Sequence, residues 1–139
     1  MTKPKNFPAL ATAAAAWWRA ALAGEPTSPA QPRPLVRLST TRTPSPAVLD
    51  AFQAELLARI QDLPARYPAA MLDADYWPGR IELECDYGPE TLLAVAAHAT
   101  GVNGVTFPWK TSTYIDTRGF WVSAGYGADH VLNLAATHN

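Results

Sequence analysis

The spacing of apolar residues changes several times along this chain, and each change marks an element. From Pro8 to Ala23, Leu10, Ala14, Trp17, Ala21 and Leu22 recur at helical spacing. Asn6 is placed to cap that helix, Pro8 suits its first turn and Gly24 its end. Trp18 lies about 100° around the helix from Trp17, so the two indoles should meet different partners. Between Glu25 and Pro46 the periodicity disappears. Six prolines separated by serine and threonine predict extended or irregular chain, with Leu35-Val36-Arg37-Leu38 able to make a short edge strand.

Ser45-Pro46 opens a second helix. Val48, Leu49, Phe52, Leu56, Ile60 and Leu63 form its apolar face, and Pro64 ends it. Arg66 to Gly79 reads as a loop with at most one helical turn. Arg80 to Tyr87 then alternates. Ile81, Leu83, Cys85 and Tyr87 point one way, while Arg80, Glu82, Glu84 and Asp86 point the other, the pattern of a half-buried strand. A short, mostly apolar helix follows from Pro89 to Thr100. Asn103-Gly104 marks a turn, and Val105 begins a strand bent at Pro108.

The segment from Phe107 to Gly127 is dense in aromatic residues. Asp116-Thr117-Arg118-Gly119 predicts a type I turn followed by glycine, which would set Asp116 opposite Phe120. On that register Ile115 meets Trp121, Tyr114 meets Val122, Thr113 meets Ser123 and Thr111 meets Gly125. One face then carries Phe120, Tyr114 and Val122. The other carries Trp109, Ile115 and Trp121 among Thr111, Thr113, Ser123 and two glycines. The terminal Ala128-Asp129-His130-Val131-Leu132-Asn133-Leu134 is expected to add a last strand or a short helix, the helix being favoured because Asp129 can cap it.

These elements predict an α+β fold. An antiparallel sheet of about three to five strands, drawn from residues 80–87, 105–116 and 120–127, carries helices mainly on one face. The length of 139 residues fits one domain. It divides into an N-terminal helix over 8–23, a proline-rich connection over 25–46 and an α+β core over 46–139.

Charge refines this reading. The net charge is −1, yet residues 1–48 sum to +5 and residues 49–90 to −6. Opposed halves of this kind neutralise one another within a fold. Lys3 and Lys5 ahead of an alanine-rich stretch, with Ala21-Leu22-Ala23 behind it, have the outline of a processed leader. The dominance of alanine and the interruption by Arg19 favour a helix of the domain instead. The lone Cys85 fits a reducing, cytoplasmic setting, and no apolar run reaches the ~18 residues of a membrane span.

Candidate chemistry is sparse. The chain contains no P-loop, no GxGxxG after a strand and no HExxH, so no cofactor and no metal are assigned. Cys85 with His98 is a conceivable nucleophile pair, but a thiol on a core face is inert. Glu82, Glu84 and Asp86 on one strand face could hold a hard cation, though a solvated face is the simpler reading. The sequence therefore points to a non-enzymatic interaction module, an adaptor or inhibitor. It would dock a protein partner, or a second copy of itself, through Trp109, Lys110, Thr111, Thr113, Ile115, Arg118 and Trp121 of the hairpin and the acidic Glu82, Glu84 and Asp86. Nucleic-acid binding through Lys110, Arg118 and the same rings is the alternative. A small enzyme of unassigned class is the third.

Overall fold

A computed structural model describes residues 3–24, 43–108, 110–124 and 131–136, the backbone alone for Ala124 and for 131–136. Three helices, α1 (Phe7–Leu22), α2 (Pro46–Asp62) and α3 (Thr91–Thr100), pack against an antiparallel sheet. The sheet runs β1 (Ile81–Cys85), β2 (Thr111–Asp116), β3 (Gly119–Ala124) and β4 (Val131–Ala136), in that spatial order. This is the expected α+β architecture. Trp109, Gly125, Gly127 and the Leu35–Leu38 segment lie outside the described residues.

The helices follow their sequence signals closely. Ser45 Oγ accepts the Val48 N–H at 3.3 Å, and Pro46 occupies the first turn of α2. Gly101 ends α3 at φ 79°, a conformation that favours glycine. Ala11, Ala14, Ala15 and Ala21 of α1 are fully buried. Their small size lets α1 approach its neighbours closely.

An aromatic chain ties the helical layer to the sheet. Trp17 and Trp18 meet edge to face at 5.0 Å, Trp18 lies 6.0 Å from Phe107, and Phe107 lies 5.8 Å from Phe52 of α2. Trp18 reaches the sheet, where its N–H donates to Thr113 Oγ1 at 2.8 Å in a fully buried setting. The Thr113 hydroxyl in turn donates to the Leu83 carbonyl at 3.2 Å. Trp77 is a second anchor that the loop-like sequence around it did not reveal. It is buried against Phe7 at 5.2 Å, and its N–H is satisfied by the Gly79 carbonyl.

The register of the central hairpin differs from the expected one by a single residue. Asp116 pairs with Gly119, Ile115 with Phe120, Tyr114 with Trp121, Thr113 with Val122 and Thr111 with Ala124. The loop is therefore two residues, Thr117 and Arg118. Because side chains alternate, a one-residue slip exchanges the faces of one strand relative to the other. Thr111, Thr113, Ile115, Phe120 and Val122 share the helix-covered face and are buried, together with Ile81, Leu83 and Cys85 of β1. Tyr114 and Trp121 share the opposite face. This arrangement buries Ile115 with Phe120 and Val122 beneath the helices, which the other register would have split.

Three further expectations are corrected. Val105 does not begin a strand, because Gly104–Thr106 forms a 3₁₀ turn after Asn103, whose side chain accepts the Val105 N–H at 3.1 Å. The terminal segment takes the less favoured of its two expected forms, the strand β4, whose backbone pairs with the edge that β3 would otherwise leave open. Tyr87 leaves the core face, since β1 ends at Cys85 and the Tyr87 side chain emerges 57% exposed.

Candidate functional site

With the helices on one side of the sheet, the other side is bare of described helices. Alternation along β1, β2 and β3 places Glu82, Glu84, Ser112, Tyr114, Asp116, Trp121 and Ser123 there. Tyr114 and Trp121 face each other across β2 and β3 and stack, with ring centroids 6.3 Å apart and planes 14° from parallel. A guanidinium brackets the pair at each end. Arg80 lies 5.1 Å from the Tyr114 ring and Arg118 5.0 Å from the Trp121 ring. A third such pair stands nearby, with the Lys110 ammonium 4.6 Å from the Tyr87 ring.

Each of these cations is also matched by a carboxylate. Arg80 pairs with Glu82, Lys110 with Asp86 and Arg118 with Asp116. Asp116 is the most engaged of the acids. Its Oδ1 accepts the Arg118 N–H at 2.7 Å, the Gly119 N–H at 3.1 Å and the Trp121 indole N–H at 3.1 Å. Burial pushes its carboxyl upward, but these hydrogen bonds and the Arg118 charge outweigh burial and hold it below the usual carboxylate range.

Glu84 is displaced the other way. Burial, then the neighbouring Glu82 and Glu90 carboxylates, raise its carboxyl above the ordinary value, with Arg80 opposing. An acid raised by folding adds stability at low pH that is lost as pH rises through its folded value. Glu84→Gln is accordingly expected to raise the thermal midpoint at pH 7. The gain should vanish below about pH 4, where both states hold the proton. Melting curves across that range provide the check, and a midpoint unchanged at pH 7 would refute it.

Beside Glu84 a groove of about 710 Å³ runs along the outer edge of β1. Leu63, Tyr67, Leu92 and Val95 line it together with Arg80, Glu82, Glu84 and Glu90. Its helical wall begins at Thr91, which adopts a φ of 44°, unusual for a β-branched residue.

Of the site residues expected from sequence, Lys110, Arg118, Trp121, Glu82, Glu84 and Asp86 are all at the surface or partly so. Thr111, Thr113 and Ile115 are removed from the list, because the observed register buries them. Trp109 lies outside the described residues. Tyr114, Arg80 and Tyr87 are gained. Their signal was present in the strand alternation, but a register error of one residue hid Tyr114 and an overlong strand hid Tyr87.

Burial, with the Glu90 and Asp86 charges, pushes the Cys85 thiol up to about 12, so the nucleophilic thiolate is disfavoured. His98 is exposed on α3 while Cys85 is buried under the sheet. Among the described residues no three His, Cys, Asp or Glu side chains are grouped to hold a metal, and no helix is long and apolar enough to cross a membrane. The chain matches no protein-family model, no curated protein and no solved structure.

Proposed function

We propose that this protein is a non-enzymatic interaction module, of adaptor or inhibitor type, that docks a cytoplasmic protein partner on the outer face of its sheet. The stacked Tyr114–Trp121 pair bracketed by Arg80 and Arg118 carries this reading. Tryptophan, tyrosine and arginine are the residues most enriched at the energetic centres of protein interfaces. Both rings are partly exposed on this face, so each keeps apolar surface that a partner can cover. Here the rings are also held rigid, so little side-chain freedom is lost on docking.

The same cation–ring pairs lend themselves to stacking nucleic-acid bases. The protein reading is preferred because Glu82, Asp86 and Asp116 neutralise the three cations, and Glu84 and Glu90 add negative charge that repels a phosphate backbone.

Partner capture by the full chain, compared across variants, tests the proposal. Trp121→Ala is expected to weaken capture of the specific partners at least about tenfold. Trp121→Phe, which keeps a ring without the indole N–H, should restore much of it. Circular dichroism establishes that each variant is folded. Undiminished capture by folded Trp121→Ala would overturn the proposal. Retention of single-stranded oligonucleotides, lost on raising salt, would favour the nucleic-acid reading instead.

A further inference from the structure

The sheet has an edge at β1, which pairs with β2 alone among the described strands. In an antiparallel pair, alternate residues direct both backbone groups toward the partner strand and the others direct both away. The Glu84 carbonyl accepts the Glu90 N–H at 3.0 Å, on the side away from β2. Two residues earlier, the N–H and C=O of Glu82 therefore point the same way, out of the sheet and along the groove. Among the described residues the groove thus presents a strand edge that is bridged only at its Cys85 end, by Pro89, with apolar side chains from Leu63, Leu92 and Val95 and three carboxylates at Glu82, Glu84 and Glu90. Arg80, the one cation among the described residues that line it, is already committed to Glu82 and the Tyr114 ring.

Resting on the docking role proposed above, we infer that this edge receives an extended segment of the protein partner in which basic and apolar residues alternate. The segment adds as a short strand beside β1. Its backbone meets the N–H and C=O of Glu82, its apolar side chains enter between Leu92 and Val95, and its cations meet Glu84 and Glu90, while Glu82 keeps Arg80. Strand addition at an open edge takes its affinity from backbone pairing and its specificity from alternate side chains. The charge selects against the simplest competitor, a second copy of the same edge. Two antiparallel β1 strands would set Glu82 and Glu84 of one copy against those of the other, and like charges directly opposite are destabilising. A basic strand relieves the Glu82 and Glu90 repulsion that adds to burial in raising the Glu84 carboxyl.

Selection from a displayed library of random linear peptides, with the full chain as bait, tests this inference. Enriched peptides are expected to carry Lys or Arg at alternate positions with apolar residues between. The Glu82→Lys/Glu84→Lys double variant should bind them at least about tenfold more weakly, as should the wild type at high salt. Amide hydrogen exchange should show Glu82 slowed by the peptide in the wild-type chain. Failure to enrich, enrichment of non-basic peptides, or binding that survives the double variant would each overturn the inference. So would a Glu82 amide already protected in the free chain, which would show that the chain's own residues fill the edge. Peptides that are lost with Trp121→Ala but retained by the double variant would sink the groove proposal while leaving the outer-face reading standing. Peptides lost with the double variant and retained by Trp121→Ala would support the groove as a site in its own right.

Discussion

Trp18→Ala is expected to lower the stability of the fold by about 4 kcal/mol, the largest effect of any single substitution considered for this chain. The indole is fully buried and joins the helical layer to the sheet, so its removal leaves a cavity between α1, Phe107 and β2. Denaturant titration of purified protein measures the loss. A complementary substitution separates packing from hydrogen bonding. Thr113→Val keeps the volume but removes the acceptor, leaving the Trp18 N–H buried without a partner. That is expected to cost about 2 kcal/mol. Combining Thr113→Val with Trp18→Phe removes donor and acceptor together. The double variant should then be less destabilised than the sum of the two single changes, by about 1 kcal/mol. A neutral Thr113→Val would show that the indole N–H does not depend on Thr113, and the account of how α1 is fastened to the sheet would fail.

That fastening was partly legible in the sequence. Neighbouring Trp17 and Trp18 cannot share one narrow helical stripe, and it is Trp18 that reaches Phe107 and Thr113. The capped start of α2, its apolar stripe and the alternation of β1 were equally plain, because each rests on contacts within a few residues. The hairpin register was not, because the segment around Asp116 is compatible with loops of either two or three residues. What decides between them is tertiary: the helices cover Ile115, Phe120 and Val122 together, and the Asp116 side chain closes the turn beside Gly119 at φ 155°. The docking face suffered most from this. The three-residue loop puts Trp121 on one face with Thr111, Thr113 and Ile115, which are buried, and sets its stacking partner Tyr114 with Phe120 and Val122 on the other. The groove at β1 was hidden for a different reason. It is built from the end of α2, the edge of β1 and the start of α3, and no local pattern brings those together.

The turn itself supplies the second large effect, since Asp116→Ala is expected to cost about 2 kcal/mol. Two-residue hairpin loops usually adopt mirror-image turns that need positive φ in the loop. Thr117 and Arg118 are not among the residues with positive φ. The Asp116 carboxylate holds the turn instead, gathering the N–H groups of Arg118, Gly119 and the Trp121 indole on one oxygen. Its side chain is only 14% exposed, so water replaces those contacts incompletely. Asp116→Asn keeps an acceptor but loses the charge, and it should cost less than the alanine change. The pH dependence follows from the lowered carboxyl. The folded state holds its proton less tightly than the unfolded state, so the contribution of Asp116 is fully present above about pH 4. It is lost as pH falls through the folded value. The stability difference between wild type and Asp116→Asn should therefore narrow steadily as denaturant titrations are repeated at lower pH. A constant difference would show that the charge on Asp116 is not what closes the hairpin. Because the same carboxylate fixes the Trp121 indole, Asp116→Ala should also weaken partner capture under conditions where the chain remains folded. Undiminished capture by a folded Asp116→Ala chain would mean that Trp121 does not need its tether in order to dock.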